Sequence, residues 1–287
     1  MRLHGLTVDL SRPWLVGILN TTPDSFADGG ELPTVAAAVD RARALVDAGA
    51  DMLDIGGESS RPGAEPVSLA EECARVLPAI AAICQAVAVP VSVDTRRAIV
   101  AEAALAHGAA MVNDTSGCAD AAMAEVVRAA GAAWVLMHMP HALGAGGWSC
   151  RVAELSTEVG GAIDQIAADL AATVLLATAA GVAREQLAVD PGIGFGKNVA
   201  QNLALLRRQP ALATIGLPLY LGPSRKSFLR AVLRGSGGAV PRDRDGATAA
   251  AVTAAVLAGA AFVRVHNVAA MRQVIDAATA IRDAFQG

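Results

Sequence analysis

The sequence predicts a (β/α)8 barrel, and three observations carry that reading. Eight short apolar runs, near 14–20, 52–57, 90–95, 110–115, 133–138, 187–191, 218–223 and 261–266, are hydrophobic almost without interruption, as parallel strands buried on both faces are. Helical patterns follow, near 34–48, 69–86, 96–107, 120–130, 153–180, 199–208, 246–258 and 268–285. Each strand also ends on a polar signature, among them Asn20, Asp54-Ile55-Gly56, Asp94, Asn113-Asp114, His138, Asp190, Ser224-Arg225-Lys226 and Arg264-Val265-His266. In a barrel these ends share one mouth.

In chain order, Leu3–Leu10 alternates weakly and predicts a short strand or hairpin beneath the barrel. Ala-Gly-Ala or His-Gly-Ala precedes strands at 48–50, 107–109, 130–132 and 258–260, which fits a helix ended by Gly. No linker or composition shift divides the chain, so residues 1–287 read as one domain. Three long segments (21–33, 58–68 and 140–151) follow strand ends, where barrels place functional loops. A fourth, 235–245, precedes a helix and reads as a surface excursion.

The composition narrows the function classes. Hydrophobic residues make up 54% of the chain but aromatics only 3%, so Ala-rich helices should pack closely. A net charge of −4 argues against a nucleic-acid partner, and any anion site must be a local cluster of cations. The four cysteines lack CxxC spacing and read as free thiols in a reducing compartment. No signal-peptide pattern opens the chain. The longest apolar-looking stretch, 246–262, is short of a good membrane span, so the expectation is a soluble, cytoplasmic protein.

Asp94, Asn113 and Asp190 end the third, fourth and sixth strands and should converge in the mouth. Two carboxylates and an amide suit a heterocycle with a donor-rich edge, such as a 2-amino-pyrimidinone. Each taken singly could equally satisfy a turn or cap a helix. Arg264 and His266 lie two apart on one strand and share a face, beside Ser224-Arg225-Lys226. With Arg61 from the second loop they make a diphosphate clamp, in the region where barrels often bind phosphate. Asn20 offers an amide oxygen for Mg²⁺, which takes few protein ligands alongside phosphates and water. Phe195 could wall a flat substrate or pack beneath its loop. Gly192–Lys197 resembles a GxGxxG only superficially, since it follows a barrel strand without an acidic residue at the dinucleotide offset. His138, with no partner nearby in sequence, reads as structural or as a support behind the site residues.

The runs Gly17–Gly30 and Asp54–Ala64 strongly resemble the dihydropteroate synthase family. So do Ser92–Thr95, Asn113-Asp114, Leu136–His138, Asp190–Lys197, Ser224–Phe228 and Arg264–His266, in the right order from first strand to last. The resemblance implies a folate-pathway transferase joining 6-hydroxymethyl-7,8-dihydropterin diphosphate to 4-aminobenzoate through SN1-like loss of diphosphate. It also implies Mg²⁺, competition by sulfonamides and a homodimer. By that resemblance Asp94, Asn113, Asp190 and Lys226 hold the pterin. Asn20 meets the metal and, with Arg61, Arg264 and His266, the diphosphate. Phe26, Ser60, Pro62, Phe195, Lys226 and Ser227 surround aminobenzoate, and Asp28, Arg61 and Lys226 act in catalysis. Thr21, Ser60, Gln201, Asn267 and the stretch 139–151 depart from the family pattern. Two alternatives share the acids: a non-catalytic pterin-binding paralogue, and a pterin-dependent methyltransferase barrel, which would not need the cations.

Overall fold

The computed structural model describes residues 1–22, 34–58, 67–140, 155–207, 209–234 and 240–284. A hairpin opens the chain, with β1 (Arg2–Leu3) antiparallel to β2 (Leu6–Thr7). Eight parallel strands follow: β3 (Trp14–Asn20), β4 (Met52–Gly56), β5 (Val91–Asp94), β6 (Met111–Asp114), β7 (Ala133–Met137), β8 (Leu187–Asp190), β9 (Tyr220–Leu221) and β10 (Phe262–Val265). Their order in the sheet is β8-β7-β6-β5-β4-β3-β10-β9. A parallel bridge between Val189 and Leu219 joins the two ends and closes the ring, with the Val189 N–H donating to Pro218 O at 3.0 Å. The predicted barrel and leading hairpin are both present.

The helices are α1 (Val35–Asp47), α2 (Leu69–Ala86), α3 (Ala98–Ala106), α4 (Met123–Ala130), α5 (Val159–Ala179), α6 (Val199–Arg207), α7 (Gln209–Ala213), α8 (Ser227–Val232), α9 (Asp245–Leu257) and α10 (Val268–Asp283). Local chemistry fixes their starts. Thr34 and Ser68 accept from the third helical N–H of α1 and α2, and Glu71 and Glu72 in the first turn of α2 complement its dipole. On α6, Asn198 and Gln201 cap each other reciprocally at 2.8 and 2.9 Å. At four of the predicted helix ends, Gly49, Gly108, Gly131 and Gly259 take positive φ, as Gly readily does.

Three expectations needed correction. Helices α7 and α8 were not predicted: they have only 5 and 6 residues, too short for a periodic pattern. Helix α5 starts at Val159 rather than 153, because Ser156 turns the chain by accepting the Glu158 N–H. The 246–262 stretch is not the longest apolar one: among the described residues, α5 is long and apolar enough to cross a membrane by length and composition. Its Ile163, Ile166, Leu170 and Val174 are buried in the shared core between barrel and helices.

Inside the barrel the period-2 alternation of strands makes layers. Val16, Met52, Met111, Ala188, Tyr220 and Phe262 form an apolar lower layer, sealed from below by Leu3 and Val8. Two residues further along each strand the same face presents Ile18, Asp54, Asn113, Asp190, Gly222 and Arg264. The floor of the mouth is therefore polar because of register. The described cysteines Cys73, Cys84 and Cys118 are free thiols, while Cys150 lies outside the described residues.

Candidate active site

Register brings the acids together. Asp94 pairs with Asn113 across β5 and β6, and Asp54 and Gly56 on β4 pair with Ser92 and Asp94. The Asn113 Nδ2 donates to Asp54 Oδ2 at 3.0 Å. Arg264 reaches over from β10, its Nε donating to Asp54 Oδ2 at 2.5 Å and its Nη2 to Asp94 Oδ2 at 2.7 Å. Two carboxylates thus share one guanidinium. Asp54, Asn113 and Asp190 are buried at 0%, 2% and 6% exposure. Two acceptors in this layer, Asp54 Oδ1 and Asn113 Oδ1, are buried without a hydrogen-bond donor among the described residues. Such orphans are rare in folded proteins, and these two lie directly beneath the mouth.

The electrostatics follow from burial. Desolvation pushes the Asp94 carboxyl up to about 7; the Arg264 charge opposes this and Asp54 adds to it. Asp190 is likewise raised by burial, against the pull of Lys226 and of the Gly192 N–H, which donates to its Oδ1 at 2.7 Å. Burial also disfavours the Arg264 charge, but Asp54 and Asp94 outweigh it and the guanidinium titrates above its ordinary value. Lys226 falls to about 8, mainly by desolvation, with Asp190 opposing.

Above this floor lies a cavity of about 290 Å³. Asn20, Asp94, Phe195, Lys226, Ser227, Arg264 and His266 all line it, so seven predicted residues meet there. Asn113 and Asp190 sit in the buried layer beneath. Phe26, Asp28, Ser60, Arg61 and Pro62 lie outside the described residues. Lys226 Nζ stands 4.2 Å over the Phe195 ring, a cation–π geometry, and donates to Ile193 O. The Ser224 Oγ accepts the His266 backbone N–H at 3.2 Å and lies 2.9 Å from His266 Nδ1.

The turn that carries Lys226 is strained and strapped. Arg225 has φ 59°, a left-handed conformation costly for a residue with a Cβ. Its N–H donates to Thr248 Oγ1 at 3.1 Å, and its carbonyl accepts from Arg244 Nη1 at 2.8 Å. Its guanidinium makes a bidentate pair with Asp245 at 2.6 and 2.8 Å. That pair, with desolvation opposing, holds Asp245 below the usual carboxylate range. Asn267 caps α10 through Ala270 N–H at 3.2 Å and donates its Nδ2 to Asp245 at 2.9 Å. An Asp here could cap but not donate, which gives this departure from the family pattern a local reason. Thr21, another departure, is buried with its hydroxyl on Gly56 O at 3.2 Å.

Sequence reasoning missed Asp54, although the signal was present: it stands two residues before Gly56 on a strand, on the inward face. It also missed Glu58, Pro241 and Arg244, which line the cavity. The segment before α9 is thus more than a surface excursion, since its 3₁₀ turn Pro241–Arg244 borders the mouth. Arg264, sorted by sequence with the diphosphate cations, also spans to the acids.

Comparison with known proteins identifies the family and the fold. The model of the pterin binding enzyme family matches residues 16–266. The dihydropteroate synthase of Synechocystis sp. is 43% identical over 271 residues, covering 94% of this chain and 90% of the relative. The Xanthomonas albilineans dihydropteroate synthase with 4-aminobenzoic acid superposes with a TM-score of 0.86 at 37% identity, covering 98% of both chains. The Yersinia pestis dihydropteroate synthase in a sulfonamide drug complex also gives 0.86, at 36% identity over 99% of both chains. The chain belongs to the dihydropteroate synthase family of pterin-binding enzymes.

Proposed function

We propose that this enzyme joins 6-hydroxymethyl-7,8-dihydropterin diphosphate to 4-aminobenzoate, giving 7,8-dihydropteroate and diphosphate. The observation that carries the reading is the pair of donorless buried oxygens, Asp54 Oδ1 and Asn113 Oδ1, beneath a cavity with cations on its upper wall. A pterin edge presents adjacent N–H and NH₂ donors that such acceptors satisfy. Asp94 and Asp190 add carboxylates to the same floor, and Lys226 stands above. The Xanthomonas relative with 4-aminobenzoic acid and the Yersinia relative with a sulfonamide support an aminobenzoate subsite open to sulfonamides.

Diphosphate departs first and the aniline nitrogen then attacks the exocyclic carbon, displacing no further group and releasing one proton. Arg264 and His266 hold the departing charge, with Arg61 and Asn20, and preorganised cations stabilise charge where it grows. Asn20 is an oxygen donor beside those cations, and no group of three or more His, Cys, Asp or Glu suited to a metal occurs among the described residues. That setting fits Mg²⁺ held by one amide oxygen together with substrate phosphates and water. When bound, Mg²⁺ would neutralise charge on the leaving diphosphate. Asp28 stabilises the cationic methylene. Phe26, Ser60, Pro62 and Phe195 wall the aminobenzoate, and Ser227 with its backbone meets the carboxylate.

A homodimer in the cytoplasm completes the proposal. Its contact is α9 with neighbouring α6, where exposed Leu203 and Leu257 border a shallow groove floored by Ala250, Ala254 and Ala258. Sedimentation equilibrium of Leu257→Glu tests it: monomers are expected, and an unchanged dimer would place the contact elsewhere.

The reaction is tested with purified protein, Mg²⁺, pterin diphosphate and labelled aminobenzoate, with and without a sulfonamide. Pteroate formation blocked by the sulfonamide is expected. Pterin binding by calorimetry without product would instead point to a non-catalytic paralogue. Arg61→Ala should lose most turnover while pterin binding stays nearly intact.

A further inference from the structure

We propose that Lys197 is a positioning residue for the aminobenzoate subsite, its ammonium fastening the loop between β8 and α6 to the barrel rim. The proposal rests on the reading that this wall of the cavity receives aminobenzoate. Lys197 Nζ lies 3.0 Å from Gly192 O, 3.0 Å from Phe195 O and 3.3 Å from His138 O. An ammonium has three donors and no acceptor, so three carbonyls satisfy it fully. A neutral amine has two donors, and its lone pair would face a carbonyl oxygen. One acceptor, His138 O, belongs to the residue after β7, and the other two, Gly192 O and Phe195 O, come from the start and middle of the loop itself.

What this clasp holds is the part of the cavity wall made by Gly194 and Phe195. Phe195 presents its ring beneath Lys226, and Ile193 gives Lys226 its carbonyl. From the helix side, Asn202 on α6 takes the Gly194 N–H at 2.6 Å and donates to Lys197 O at 3.0 Å and Asn198 O at 2.8 Å. Asn202 thus fixes the outer edge and Lys197 the inner one. The two rims also press together. Gly192 has φ 68°, and a Cβ there would lie 2.0 Å from His138 O and 3.0 Å from Lys197 Nζ. His138 enters through its main chain: its N–H donates to Asp190 O at 2.8 Å and its carbonyl meets Lys197.

The charges around Lys197 make the clasp sensitive to pH. Asp190 on β8 favours the ammonium, and Lys226 on the β9–α8 turn disfavours it. The His138 imidazole after β7 is kept neutral, mainly by burial, and Asp169 on α5 faces its Nε2 at 3.3 Å. Burial brings Lys197 itself down to about 7. Its ammonium therefore discharges as pH rises through neutrality, and one of the three carbonyl contacts is lost with it.

The test compares wild type with Lys197→Met and Lys197→Arg, reading the aminobenzoate KM, kcat and calorimetric pterin-diphosphate affinity from about pH 6 to pH 8. Lys197→Met is expected to raise the aminobenzoate KM about tenfold at pH 6, with pterin affinity changed less than about threefold. Wild-type KM should climb across that range, and both variants should show a smaller climb, the remainder coming from Asp94 and Lys226, with Met at a high KM and Arg at a lower one. A wild-type KM and pH profile in Lys197→Met would overturn the proposal, as would an equal loss of pterin affinity. If Lys197→Met does not fold, Lys197→Arg decides alone: retention of the wild-type climb overturns it. If wild type makes no pteroate, the functional reading falls separately. Amide hydrogen exchange at Ile193–Lys197 then reads the clasp, expected about tenfold faster in Lys197→Met and contradicted by no change.

Discussion

Asp54, Asp94, Asn113 and Asp190 are placed by strand register, whereas Ser224, Arg225 and Lys226 are placed by a strained turn strapped from outside the barrel. The acids need only the period-2 alternation of regular strands and a layer of apolar residues beneath them. The cations need Asp245, Thr248 and Arg244, from the far side of a loop, to hold Arg225 at φ 59°. Arg264, itself placed by register on β10, stitches Asp54 to Asp94 within the first region. The difference teaches that one half of this mouth is built by topology and the other by tertiary contacts.

The stitch is the most costly part to break. Asp54→Ala leaves Arg264 with one buried partner fewer, and removing a member of a buried pair costs about 3–5 kcal/mol. Urea denaturation should show a loss of about 3 kcal/mol, and pterin affinity should fall with it. A loss under about 1 kcal/mol would mean that Arg264 is held in place without Asp54.

The strap is next in size. Asp245→Asn removes the charge that pairs with Arg225, and hydrogen bonds to charged groups are worth about 1.5–3 kcal/mol. The pair is partly exposed, so a stability loss of about 1 kcal/mol is expected by denaturation, alongside a raised aminobenzoate KM. An unchanged KM would show that the turn holds itself.

The two regions should also differ in pH dependence when no ligand is bound. Asp94 titrates near 7 in the fold against an ordinary 3.8, so its contribution to stability is full below about 3.8 and lost as pH rises through about 7. Lys226 titrates near 8 against an ordinary 10.5, so its contribution is full above about 10.5 and lost as pH falls through about 8. Asp94→Asn should flatten the falling limb and Lys226→Met the rising one, in denaturation midpoints taken across pH. Both limbs unchanged would remove burial as the cause of these shifts. The smallest effect belongs to Asn267→Asp, which keeps the cap but sets a second carboxylate against Asp245. Destabilisation of about 0.5 kcal/mol is expected, and stabilisation would contradict the hydrogen bond drawn there.

This division also explains how much was legible in the chain. Strands, long helices and the converging acids follow from hydrophobic period and strand ends, which are local properties. Asp54 was legible by the same rule but was hidden inside a motif whose loop drew attention. Helix α8 was not, because six residues carry no periodicity and its start depends on the strapped Arg225. The roles of Arg244, Asp245 and the His138 carbonyl were invisible as well, since each acts on a residue 19, 20 or 59 positions away.

The central claim is that acids serve the pterin and the far rim serves its diphosphate. Calorimetry of Asp190→Asn and His266→Ala with two ligands, 6-hydroxymethylpterin and its diphosphate in Mg²⁺, tests it most directly. Asp190→Asn should weaken both ligands by a similar factor, while His266→Ala should weaken only the diphosphate. If both substitutions weaken both ligands alike, the sorting of the rim by chemistry is wrong.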